Sequence, residues 1–120
     1  MPEMPKFTKS SPETVDRFKA VLERHAAPDV VMKPMFGYPV AWTGGNMWTG
    51  LFADEWWVRV SEPDREALLA IPGAHPFEPM PGRSMGRYVV MPPDIAASDA
   101  AIDPWLEMAL AFTRTMPPKK

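Results

Sequence analysis

Residues 38–60 read YPVAWTGGNMWTGLFADEWWVRV, and this stretch decides the fold. Three runs rich in β-branched and aromatic residues are separated by two short turn sequences. Thr43-Gly44-Gly45-Asn46 supplies residues that tolerate positive φ, as a tight hairpin requires. Asp54-Glu55 makes the second reversal. The reading is an antiparallel meander: Tyr38 to Thr43, with Val31 to Phe36 as its entry, then Met47 to Ala53, then Trp56 to Val60.

Working outward, a helix precedes the meander. Ser10 or Ser11 caps it, Pro12 lies in its first turn, and Glu13 is placed as a capping-box partner to Ser10. Val15, Phe18, Val21, Leu22 and His25 recur at three- and four-residue steps, which gives one apolar stripe. Pro28 closes the helix, because proline lacks the N–H and disfavours a helical predecessor. After the meander, Ser61 caps a short helix with Ala67, Leu68 and Ile71 on its inner face, and Pro72-Gly73 stops it. Pro76 to Met80 is a short edge strand, Pro81 to Gly86 a loop, and Arg87 to Met91 a strand ended by Pro92-Pro93. A small-residue linker leads to a last helix, Ile102 to Thr115, whose inner stripe is Trp105, Leu106, Ala109, Leu110 and Phe112 or Thr113.

Strands arriving in runs predict an α+β, two-layer domain with an antiparallel five-stranded sheet and helices on one side, in the order α-β-β-β-α-β-β-α. The chain of 120 residues is one domain's length. The domain is expected over 12–116, between flexible tails at 1–11 and 117–120.

Composition narrows the function. The net charge of −2 lacks the basic excess that phosphate neutralisation needs, so nucleic acid is not an expected partner. Zero cysteines remove disulfides, thiolate nucleophiles and cysteine-based zinc sites. No apolar run approaches the roughly 18–20 residues of a membrane span, and the N-terminus has no signal-peptide core. A cytoplasmic protein is expected.

The chemical motifs are weak. Gly82-Arg83-Ser84-Met85-Gly86 has the spacing of a nucleophile elbow, but that turn works between a strand and a following helix. Here Ser84 precedes a strand, so a hydrolase reading ranks below the others. His25 reads as a partly buried structural residue and His75 as a solvated one. Two histidines without shared spacing predict no metal site. The glycines match no phosphate-binding loop. No cofactor and no catalytic residue is expected. Arg59, Arg83 and Arg87 could converge on an anion, with Arg83 and Arg87 the anion contacts, although ordinary pairing with Glu78 or Asp54 is the simpler reading.

Both phases of the strands carry bulky groups. Met47 and Leu51 share one phase, and Trp48 and Phe52 the other. In a two-layer domain helices cover only one face. The second face is therefore expected to present Trp48, Phe52, Trp57 and Arg59 to a protein partner or a second copy, unless loops or the first helix cover it. A Met- and Trp-lined small-ligand pocket is the alternative.

Several short motifs occur together in order: Pro34-Met35-Phe36-Gly37, the Gly-Gly-Asn turn with Met47, Trp57-Val58-Arg59-Val60, Phe77-Glu78-Pro79-Met80-Pro81-Gly82-Arg83, and Tyr88-Val89-Val90-Met91-Pro92. Over residues 12 to 118 the chain resembles the N-terminal domain of TfoX/Sxy proteins. The resemblance implies an α-β(3)-α-β(2)-α fold like that of secretion chaperones and a regulatory, non-enzymatic role. It carries no catalytic residues. The competence regulators of the family have a C-terminal helical domain with no counterpart here, so a competence role is not expected. Tyr38 stands where the family often has a second glycine, and Ser84 where one branch often has proline.

Overall fold

The computed structural model describes residues 10–35, 37–77 and 87–117. Its elements are α1 (Pro12–Glu23), β1 (Val30–Met32), β2 (Val40–Thr43), β3 (Asn46–Phe52), β4 (Glu55–Arg59), α2 (Glu62–Leu69), β5 (His75–Pro76), β6 (Tyr88–Val90), α3 (Pro93–Ala96) and α4 (Asp99–Arg114). The strands form one antiparallel sheet in the order β1-β2-β3-β4-β6-β5. The class and the meander are as the sequence predicts, with six strands among the described residues rather than five. The additional strand is β1: the apolar entry at 30–32 pairs with β2 in its own right, Val31 opposite Trp42.

Helices α1, α2 and α4 each start where an oxygen side chain meets an orphan amide. Ser11 caps α1 by accepting from the Thr14 N–H at 3.2 Å, so Thr14 rather than Glu13 answers the cap. Ser61 caps α2 through Asp64 N–H, and Ser98 caps α4 through Ala101 N–H. That last cap starts α4 three residues before Ile102 and turns part of the expected linker into helix. Helix α1 ends at Glu23, ahead of Pro28, in a tight turn whose amides at Arg24 and His25 bond to Val21 and Leu22. Gly44 and Gly45 both take positive φ, 59° and 80°, the twist that a two-residue hairpin between right-twisted strands needs.

The helices lie on one face. Phe18, Val21 and Leu22 of α1, Leu68 of α2, and Ile102, Leu106, Ala109 and Leu110 of α4 pack on Ala41, Leu51, Trp56, Val58, Val60 and Val89. Ala67 of α2, expected inside, is exposed. Burying each large apolar side chain contributes about 1.5–3 kcal/mol before entropy is counted.

The β2–β3 pairing slips at one point. Ala41 faces Thr49 while Trp42 faces Met47, which leaves Trp48 as the extra residue of a bulge. The slip moves every residue before it to the opposite face. Trp48 therefore joins the helix-side core, while Phe52 stays on the other face.

Candidate functional site: the open edge of the sheet

The middle of the sheet's second face is covered within the monomer, while Trp42, Met47 and Phe52 at its margin are partly exposed. Val40, Trp57, Tyr88 and Val90 project from this face, and Phe77 folds over them. Phe77 stacks on Trp57 with centroids 5.3 Å apart and planes 20° from parallel, while Tyr88 meets Trp57 edge-on at 5.1 Å. Phe52 joins through contacts to Phe77 at 5.5 Å and Tyr38 at 5.0 Å. The Trp57 indole lies over Gly50, its cross-strand partner. A Cβ at that glycine would come within 2.6 Å of the ring, so the bare backbone is what lets the ring lie flat.

This placement corrects the expected contact face. Trp48 is fully buried, and its Nε1–H donates to the Leu106 carbonyl at 3.0 Å. Trp57 is 1% exposed. Neither reaches a partner without opening the domain. The physical reasons are the bulge at Trp48 and the aromatic cover supplied by Phe77. Phe52 and Arg59 are partly exposed. The Arg59 guanidinium lies 4.9 Å from the Tyr88 ring, and its shielded Nε and Nη1 have no hydrogen-bond partner among the described residues. Burial pushes the Tyr88 phenol above its ordinary range, against the pull of Arg59.

Arg87 does not converge with Arg59. It points to the helix side, 3.4 Å from Glu62 and 5.9 Å from the Phe112 ring. Arg83, Ser84 and Glu78 lie outside the described residues. Asp54 is occupied otherwise, accepting from the Ser11 N–H at 2.8 Å.

The histidines are where the sequence puts them. His25 is buried between α1 and α4, with Nε2 3.0 Å from Asp103 and Nδ1 2.5 Å from Glu107. Arg24–Asp103 at 2.8 Å and Arg17–Asp99 at 2.9 Å extend the same seam. Hydrogen bonding from Arg24, then from His25, holds the Asp103 carboxyl below the usual range. His75 is exposed and faces Glu55 at 3.1 Å. Both rings thus point at carboxylates, and among the described residues neither is hydrogen-bonded to a hydroxyl. Among the described residues no group of three or more His, Cys, Asp or Glu could hold a metal ion, and no helix is long and apolar enough to cross a membrane.

What stays open is the β1 end of the sheet. Val31 is 55% exposed and Met32 45%, the two most exposed large apolar residues among those described. Beside them, between β1 and α1, run two adjoining cavities of about 470 and 210 Å³ that share Lys19 and Met32. Val15 and Leu22 line the α1 wall, and Val30 and Lys33 the other. Lys19 and Lys33 form no ion pair among the described residues. No tryptophan lines this groove. Trp56 and Met91 do meet in a smaller cavity of about 120 Å³ beside β5.

The sequence places Val31 and Met32 in a strand entry but does not mark them as exposed. Between Pro28 and Pro34 they form, with Val30, a three-residue apolar run, which marks a strand but not whether that strand has one neighbour or two.

The family model of the TfoX N-terminal domain matches residues 22–113. Comparison with the curated proteins gives no match, and neither does comparison with the solved structures. The matched span covers both sheet faces, β1 and most of α4, so the chain belongs to the TfoX N-terminal domain family.

Proposed function

We propose that this member of the TfoX N-terminal domain family is a non-enzymatic interaction domain, in a regulatory or adaptor role, that engages its partner through β1 and the adjoining α1 groove. The observation that carries the reading is the pair Val31 and Met32, exposed at successive positions on opposite faces of an edge strand. An edge strand offers unpaired backbone groups, and proteins normally cover or blunt such an edge. A cytoplasmic location goes with this proposal.

The test is site-specific photo-cross-linking in cells. A benzophenone amino acid at Val31 is expected to trap a discrete protein adduct, and the same group at the exposed Ala111 of α4 is expected to trap none. Equal or absent adducts at the two positions would sink the assignment.

A second reading is favoured by the groove's volume of about 470 Å³, within the range of small-molecule pockets. A bound metabolite raises the melting temperature with concentration. A thermal-shift screen showing a dose-dependent rise that Met32→Glu abolishes is the outcome this reading expects.

A further inference from the structure

Building on the edge-strand reading above, we infer that the partner at β1 is a second copy of this chain, paired antiparallel about a two-fold axis through Val31.

The hydrogen-bond phase of β1 sets which groups are available. Lys33 N–H donates to Val40 O at 2.9 Å. Antiparallel pairs alternate between bonded and non-bonded, so Val31 and Lys33 turn their amides towards β2. Val30 and Met32 turn theirs off the sheet. Val30 N–H is already used, donating to Ala27 O at 3.0 Å. The edge therefore offers the Met32 N–H as donor and the Val30 and Met32 carbonyls as acceptors.

More than one register reaches these groups, but only one also matches the side chains. A two-fold axis through Val31 sets Val30 opposite Met32 of the second copy, and Met32 N–H then meets Val30 O twice by symmetry. Val31 opposes itself as a non-bonded pair, the geometry in which side chains approach closest, so the most exposed apolar residue buries itself. Met32 packs beside Val30 on the helix side, where the two α1 grooves meet. One step further out, Asp29 faces Lys33 of the second copy, opposite charges on each flank. An axis through Met32 instead sets Val31 against Lys33, and Val30 against Pro34, which has no N–H. An axis through Val30 sets Val31 against Asp29, and Met32 against Pro28. Both mix apolar with charged residues. The Met32 axis keeps two bonds, Met32 N–H to Met32 O, but leaves Val30 O facing a residue without an N–H, and the Val30 axis opposes Val30 to itself although its N–H is already used. The chosen register gives a continuous twelve-stranded sheet, held by few bonds and so dependent on protein concentration.

The chain has no cysteine, which makes the test direct. The wild-type mass, by sedimentation, is expected to rise from 13.5 kDa towards twice that value over two decades of concentration, with Val31→Lys staying monomeric. Cross-strand Cα atoms about 4.5 Å apart lie within disulfide reach. Val31→Cys is thus expected to oxidise to a covalent dimer roughly tenfold or more faster than Met108→Cys, the exposed control on α4. A wild type that stays monomeric, with Val31→Cys no faster than the control, overturns the second copy and leaves the edge reading to the photo-cross-linking result. A dimer that Val31→Lys does not disturb places self-association on another surface and overturns both.

Discussion

Strands β4 and β1 lie in the same sheet, and both are apolar. Trp56, Trp57 and Val58 of β4 are nearly inaccessible, whereas Val31 and Met32 of β1 stand in solvent. The difference is one of position. β4 runs between β3 and β6, with helices on one face and Phe77 on the other. β1 has a neighbour on one side only. Apolar sequence marks a strand that requires cover, but strand order decides whether the monomer supplies it. Trp48 and Trp57 are core, and the smaller Val31 and Met32 remain as surface.

That contrast can be broken in several ways. The largest effect is expected at Trp57→Ala, which should cost about 3–5 kcal/mol in urea unfolding, whereas Val31→Ala should stay within about 0.5 kcal/mol. A loss at Trp57 no greater than that at Val31 would mean the second face is not core. Next in size is Gly50→Ala. The new methyl must displace the Trp57 ring, and a loss of about 1–3 kcal/mol is expected. An unchanged unfolding midpoint would show that the ring does not lie over β3.

Arg59→Met has the opposite sign. It removes two shielded donors without a partner among the described residues and gives up the contact with Tyr88, so a gain of about 1 kcal/mol is expected. A loss instead would show that Arg59 has an anionic partner in solution.

The smallest effect concerns Asp29, which tethers the start of β1 to α4 through Arg114 at 2.9 Å. Hydrogen bonds from Arg114, then Thr43, draw its carboxyl down from 3.8 to about 2. A depressed folded value means the tether's stabilisation is present above the ordinary carboxylate range and is lost as pH falls towards 2. In acid titrations followed by circular dichroism, wild type and Asp29→Asn should differ above pH 3.8 and converge on approaching pH 2. A constant gap across that window would show that Asp29 titrates normally.

Much of the fold was legible because it is local. Gly44-Gly45 places the first hairpin, Asp54 the second (whose turn is Ala53-Asp54, one residue earlier than Asp54-Glu55), Ser11 and Ser61 place helix starts, and the stripe through Phe18, Val21 and Leu22 marks a buried face. Ser98-Asp99 carries the same kind of start signal for α4 and was hidden among small residues. The rest is tertiary. Nothing in the run from Met47 to Phe52 announces that Trp48 is the bulge residue, and one slipped position reassigns its face. Nothing before folding says that Phe77 will cover Trp57, twenty residues away in sequence. The exposure of β1 follows from its place at the end of the sheet, which pairing alone determines. The resemblance carried by Met35, the Gly-Gly-Asn turn and Trp57-Val58-Arg59 reached the family, but it could not reach the contact surface.

The most direct test of the open edge is the exchange rate of the Met32 amide, resolved by NMR at several protein concentrations. At low concentration it should exchange nearly unprotected while Leu51 and Val58 amides are slow. As concentration rises, Met32 should slow and the central strands should not change. A Met32 amide already protected at the lowest concentration would mean that the chain covers its own edge, and the contrast between β1 and β4 would fail.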